Sequence, residues 1–549
     1  MTDLDLDRLA ADYWDAHLAR HPTHATAIGD RRFDAFLTDD LPSGREAWAA
    51  ALGGFEERLA KLDPAADPVT RSALGEALRA DRAFHEADLG SFTVDPMDGP
   101  QVDLLNIPSY QSVRTPAQAE ALVARWRAMP GFLDTHAARL RASAADGRTG
   151  VRALVTKAVE QLDELLARPD AEWPLMEPAT EAHAIRDDLL QVVRDEIRPA
   201  FARYRALLVD ELAPNARPDD RPGLVHVPGG VEAYRAMARA HTSLDTPPED
   251  VHAIGLREIE RIDTEFIELG GRLLGTDGLA HTLRALRSDP ALHFSSGEEI
   301  VAVAEASLAR ANAAIPEWFG RLPEAPCEVV RIPPHEEKHS TIAYYREPAA
   351  DGSRAGQYYV NTYAPETRPR YEAEVLAFHE SVPGHHLQIA IAQELAGLPA
   401  FRRFGGTTAY VEGWGLYTER LSEEMGLLSG ETDRFGVLSF DAWRASRLVV
   451  DTGMHALGWT RREAIDFMAA HTALGENNIA NEVDRYIAWP GQALAYKLGQ
   501  LELLRLRAEA RDRLGARFDI RAFHDAVLDG GALPLPALRE AVERRTSGA

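Results

Sequence analysis

The chain has 549 residues, 45% of them apolar and 27% charged, an ordinary composition for a soluble globular protein. Its net charge of −26 argues against general nucleic-acid or anionic-membrane binding, since both need a basic footprint. No apolar run approaches the roughly 18 residues that would span a bilayer. The N-terminus, MTDLDLDRLAADYW, carries two Asp–Leu repeats where a signal peptide needs basic residues and an apolar core. Cys327 is the only cysteine, so no intrachain disulfide can form, and a reducing, cytoplasmic location is expected. Lys61, Lys157, Lys338 and Lys497 are the only lysines among 60 basic residues.

No internal repeat or low-complexity linker interrupts the sequence. Residues 1–310 read as a string of amphipathic helices, beginning at 5–21, where Leu9, Tyr13, Trp14 and Leu18 recur at helical spacing. The pattern predicts further helices over 48–62, 71–88, 116–143, 151–167, 180–210, 230–242, 249–274 and 297–313. Clusters of Pro, Gly and Asp at 167–174 and 219–223 separate them, and ThrProProGluAsp at 246–250 is a helix-start signal. The texture changes near residue 325. Segments 327–334, 341–348 and 357–365 are short, rich in β-branched and aromatic residues, and bounded by turn residues. DGSRAG (351–356) reads as a hairpin between the last two. From 370 the helical pattern returns. The fold expected is mainly α, with one small β insert at about 325–365.

The densest chemistry lies in YEAEVLAFHESVPGHHLQIAIAQEL (371–395), where His379, Glu380, His385, His386 and Gln388 interrupt apolar flanks. Neutral imidazoles ligate zinc well, and a Glu beside the first His can serve as general base. In an HExxH helix the two histidines sit at i and i+4; here Pro383 takes the fifth position and the next His comes at i+6. A two-residue bulge at Pro383–Gly384 would return His385 to the i+4 place. His386 is the rival ligand, disfavoured because a straight helix would hold the two imidazoles about 10.5 Å apart along its axis. A literal HExxH at His335–Glu336–Glu337–Lys338–His339 reads as a charged loop: it follows Pro333 and Pro334 and lacks apolar helical flanks.

A third ligand is available in TAYVEGWGLYTERLSEEMG (408–426), where Glu412 and Glu419 are seven apart and share a helix face. Glu412 would complete the ligand set, and Glu419 would orient an imidazole. Gly413 and Gly415 would let another element come close. Farther on, Arg447, Asp451 and His455 recur every four residues, and DRYIAWPGQALAYKLGQ (484–500) supplies Arg485, Tyr486, Gln492, Tyr496 and Lys497. A phenol, imidazole or ammonium from these stretches could stabilise an oxyanion opposite a metal. No GxSxG elbow, Walker A loop or GxGxxG motif is present.

Taken together, HESVPGHHLQ, YVEGWGLYTERL and RYIAWPGQALAYKLGQ resemble the bacterial family known as domain of unknown function 885, as do LAADYWDAHLARHPTHATAIGDRRFD and DGSRAGQYYVNTY. That family is generally regarded as zinc peptidases. More distantly the pattern is similar to helical gluzincins such as the Taq-type metallocarboxypeptidases, in which a Glu ligand and a second Glu seven residues on follow the HExxH helix. The resemblance implies a single catalytic domain of two helical lobes around a deep cleft, with metal-site helices at about 371–425. It implies one zinc ion per chain, held by His379, His385 and Glu412, with Glu380 as base. Tyr496, His455 or Tyr486 would donate to the oxyanion. A small sheet beside the metal would bind the substrate backbone at its edge, either TIAYY (341–345) or QYYVNT (357–362). Substrate contacts are thus expected from Tyr344, Asn361, Arg447, Arg485, Gln492 and Lys497. The expected substrate is a short peptide, with no nucleic-acid or membrane partner. A metal-dependent amidohydrolase or cyclising enzyme, and a non-catalytic peptide-binding scaffold, are the alternatives.

Overall fold

The computed structural model describes all residues except 1–2, 64–65, 179–182, 334–336, 338–340, 350–351, 353 and 548–549. Helices dominate, and strands hold only 3% of the chain. The N-terminal periodicity folds as read: α1 (Asp3–Arg20) buries Leu9, Tyr13, Trp14 and Leu18, and α2 (Pro68–Ala87) follows a Pro at its first turn, where a missing N–H costs nothing. A long helix α3 (Pro116–Ala145) starts from a capping box formed by Thr115 and Gln118. The expected helix at 180–210 is less regular: α-helical turns at Arg186–Val192 and Arg198–Leu207 alternate with π-helical turns at Val193–Ile197 and Leu208–Leu212. Three helices among the described residues escaped the sequence pattern, Pro22–Ala27, Pro100–Asn106 and Leu279–Ser288. One apolar core is drawn entirely from Val94 to Ala216. A larger one joins α1 to the helices around residues 378–421 and to the C-terminal helices.

The middle of the chain runs through α4 (Gly230–Thr242), α5 (Pro248–Leu273) and α6 (Gly297–Trp318) into the sheet. Its strands are β1 (Cys327–Arg331), β2 (Ala343–Arg346) and β3 (Gly356–Val360), in the order β1–β3–β2. β2 and β3 pair antiparallel, Tyr345 opposite Tyr358, as the expected hairpin requires, whereas β1 runs parallel to β3. This corrects one expectation: QYYVNT occupies the central strand, so its backbone is already paired on both sides and only TIAYY offers an edge. The literal HExxH residues His335, Glu336, Lys338 and His339 lie outside the described residues. Glu337 is described, and there its carbonyl accepts from the Asn361 amide and its carboxylate from Thr362.

Helices then fill the remainder: α7 (Arg370–Glu380), α8 (His385–Glu394), α9 (Thr408–Glu424), α10 (Arg434–His455), α11 (Glu476–Ala488) and α12 (Leu494–Leu514). α10 packs along α5 and is buried over nearly its whole length. α9 and α12 cross where two glycines meet: a Cβ on Gly413 would lie 2.5 Å from the Gly499 Cα. That close approach brings the polar face of α12 against the carboxylates of α9.

Candidate metal centre

The helix carrying the first histidine does not bulge at Pro383–Gly384, as the spacing suggested; it breaks. α7 ends at Glu380, Ser381 leaves helical geometry, and α8 begins at His385. The break is closed by its own hydrogen bonds, His386 N–H to the Ser381 carbonyl at 3.0 Å and the Trp414 indole N–H to the Pro383 carbonyl at 3.0 Å. A stop and restart serves the same end as a bulge, because it turns His385 back toward His379. Their rings lie 4.6 Å apart, nearly perpendicular.

Glu412 reaches this pair from α9. Its Oε2 is 3.5 Å from His385 Nε2 and 3.9 Å from His379 Nε2. The ligand atoms of the three residues all lie within 4.8 Å of one another. The two imidazoles are almost wholly buried, while 21% of the Glu412 side chain is exposed, so access is from the carboxylate side. Burial, reinforced by His385, Arg444 and Arg447, pushes the His379 imidazole well below its ordinary pKa and keeps it neutral. Burial alone would raise Glu412, but its hydrogen bond to His385, together with Arg485 and the Tyr496 hydroxyl, holds it below the usual carboxylate range.

Glu419 bonds His379 Nδ1 at 2.8 Å, leaving Nε2 to face Glu412. This is the carboxylate–imidazole pairing that fixes a ligand's tautomer. Burial pushes the Glu419 carboxyl up to about 8 against the pull of Arg444; a cation at the histidine would favour its ionised form. Gly415 makes the arrangement possible, since a Cβ there would come within 2.7 Å of the His379 ring. The donor set therefore fits a divalent metal of zinc type: two imidazole nitrogens and one carboxylate oxygen, converging.

Glu380 projects beside this triad, and burial raises its carboxyl above the ordinary value. The backbone N–H of Tyr345, on the outer edge of β2, faces it and counters that rise in small part. The Tyr345 hydroxyl meets His386 Nδ1 at 3.0 Å, and His386 Nε2 lies 2.9 Å from the Ala325 carbonyl. His386 is thus turned away from the metal site and tied to the sheet, which removes it as a ligand.

The remaining expected residues separate into two groups. Tyr496 stands at the site: its hydroxyl faces Glu412 and accepts from Arg485 at 3.3 Å, and Arg447 stacks 4.3 Å over its ring. Gln492 accepts from the same Arg485. Arg447 is only 1% exposed and bonds Tyr486 and Glu482, so it supports Tyr496 rather than reaching a substrate.

The others are engaged elsewhere, most of them in the core. His455 uses both ring nitrogens, on the Leu224 N–H and the Tyr486 carbonyl. The Tyr486 hydroxyl donates to Glu482 and accepts from Arg447 and Trp443. Neither has a proton to offer an oxyanion. Lys497 gives its ammonium to Asp441, Glu258 and Gln500. Asn361 uses both amide hydrogens on the Glu337 and Thr341 carbonyls, closing the turn after β3. Tyr344 stacks on Tyr359, ring centres 4.6 Å apart. Sequence reasoning missed Tyr345, Arg444 and Glu482. Only for Tyr345 was a signal present: strand alternation sets it on the opposite side of β2 from Tyr344.

Comparison with solved structures places this architecture among known folds. A protein from Colwellia psychrerythraea matches with a TM-score of 0.94 and 26% identity over 100% of this chain and 99% of its own. A second, from Shewanella oneidensis, matches with a TM-score of 0.75 and 17% identity over 97% and 99%. Both carry the description "putative lipoprotein", the second "of unknown function". That description of the two neighbours overturns the expectation of a cytoplasmic location. Among the described residues no helix is long and apolar enough to cross a membrane. A search of the curated proteins gives no match. The family profile described as "Bacterial protein of unknown function (DUF885)" matches residues 22–542, and the chain belongs to that family.

Proposed function

We propose that the protein is a zinc-dependent hydrolase of short peptides. The observation that carries this reading is the convergence of His379, His385 and Glu412 within 4.8 Å, with Glu380 beside them. The likeness of HESVPGHH and of the Glu412–Glu419 spacing to helical gluzincin peptidases supports it. One zinc ion per chain, bound by those three residues, would supply Lewis-acid polarisation of a carbonyl and of water. Glu380, its carboxyl raised by burial, takes a proton from the attacking water and passes it to the departing amine. Tyr496, held between Glu412 and Arg485, donates to the carbonyl oxygen as charge develops there. β2, the outer strand next to Glu380, aligns an extended peptide. From the Colwellia counterpart we infer a membrane-anchored or extracytoplasmic setting.

Metal analysis of the purified, never-chelated chain, together with digestion of a peptide library, tests the proposal. Zinc at about one atom per chain is expected from one three-residue ligand set. Glu380→Gln should retain that zinc and lose about 10²–10⁴-fold in turnover, the usual range for a general base. A folded protein that never contains metal would sink the reading. Library products that are cyclised or deamidated rather than cleaved would move it to another amide chemistry.

A further inference from the structure

The N-terminal stretch containing Tyr13–Trp14 and His17 has no part in the metal centre. It forms one wall of a separate cavity of about 250 Å³, between α1, α2 and the residues that open α9. The cavity exists because α2 turns Ala73, Ala77 and Ala80 toward it, three small residues on one helix face. Opposite them stand the rings of Tyr13, Trp14 and Phe401, with the half-exposed Phe84 at the rim.

Asp81 is the unusual group in this space. The Tyr13 hydroxyl at 2.9 Å and His17 Nδ1 at 3.1 Å both bond its Oδ2. Its Oδ1 has no hydrogen-bond partner among the described residues. Only 13% of the side chain is exposed, and no arginine or lysine among the described residues lies within ion-pair distance. The neighbouring carboxylate in the same cavity, Glu76, shows the contrast: Arg79 and Arg239 both pair with it. Its one ion-pair partner is the His17 imidazole, a cation only when protonated; a carboxylate largely withdrawn from water without a permanent cation is costly, and in this arginine-rich chain the usual remedy is missing at this point.

We propose that this cavity is a second binding site, for a small organic ammonium ion carrying an aromatic or apolar body. The ammonium would donate to Asp81 Oδ1, and the aromatic walls would stabilise both its charge and its body. The volume lies just under the roughly 300–1,000 Å³ of drug-sized ligand sites, which suits a single amine rather than a peptide. The proposal does not depend on the metal-centre reading, and binding can be measured with or without metal.

Calorimetric titration of the full chain with phenethylammonium, 2-phenylethanol and phenylacetate tests it. The amine should bind, and the neutral and anionic analogues should bind at least about tenfold more weakly, as expected for loss of a charge-assisted hydrogen bond. Asp81→Asn should weaken the amine by a similar factor. Ala77→Leu, which fills the cavity while leaving Asp81 in place, should abolish binding, and it decides the matter if Asp81→Asn does not fold. Absence of amine binding to the wild-type chain would overturn the proposal. So would phenylacetate binding as tightly as the amine, or affinity for the amine unchanged in the folded variants.

Discussion

Tyr496 and Lys497 are neighbours on α12, yet each enters a buried polar knot of opposite character. Around Lys497 every group is matched. Its ammonium meets Asp441, Glu258 and Gln500, and the other Asp441 oxygen meets Arg420 and Arg261. Around Tyr496 the accounts do not close. Among the described residues, His385 Nδ1, Glu419 Oε2, Arg447 Nη1 and Arg485 Nε are buried without a partner, as are two nitrogens of Arg444. A saturated knot stabilises a fold and offers nothing to a ligand. An unsaturated one is tolerated where something else completes it. Polar density along the chain marks both kinds alike; only the partners tell them apart.

The sharpest way to break the comparison is to remove a ligand from the open knot. His385→Ala should empty the metal site and reduce peptide hydrolysis to background, whereas His386→Ala, one residue on, should keep its metal; zinc stoichiometry on both reads the difference. Retention of zinc in His385→Ala would return the second ligand to His386. Next in size, Tyr496→Phe removes one hydroxyl at the site and should lower turnover by about 10²–10³-fold with zinc retained, the range for a lost oxyanion donor. Glu419→Gln should act more gently, weakening zinc affinity by about 10–100-fold through loss of the group that orients His379; competition with a chelator measures it.

Least affected in turnover should be Lys497→Met, despite lying beside Tyr496. Its effect belongs to stability, a loss of about 3–5 kcal/mol for leaving Asp441 buried without its main cation, read by denaturant unfolding. Burial alone would raise Asp441, but Lys497, Arg420 and Arg261 hold it far below the usual carboxylate range. A depressed folded pKa contributes stability above the unfolded value and loses it as pH falls. The advantage of wild type over Lys497→Met should therefore be full above about pH 4 and shrink below it. An advantage that grew on acidification would contradict the closed-knot description.

The cluster of His379, His385 and Glu412 was legible in the sequence because charged and imidazole groups in apolar helical flanks have few bland explanations, and because a seven-residue spacing puts Glu412 and Glu419 on one face. The small sheet was legible from its β-branched and aromatic runs, but not its strand order. Parallel pairing of β1 with β3 depends on how the chain returns, and only that order makes 357–360 central. The roles of His455 and Lys497 could not be read, since their partners come from far along the chain: Leu224 is 231 residues from His455, and Asp441 is 56 from Lys497. The helix break shows the same limit at short range. Pro–Gly announced a departure from helical geometry without saying whether the helix would swell or stop.

Tyr345 holds three things at once. Its position in β2 ties it to the sheet, its backbone N–H faces the Glu380 carboxyl, and its phenol holds His386, the residue after His385. These are fastened to one rigid peptide unit and one ring, so they cannot drift independently. A displacement of the strand would therefore reach Glu380 and the helix carrying His385 together. The insert would thus act as a mechanical clamp on the proposed metal centre.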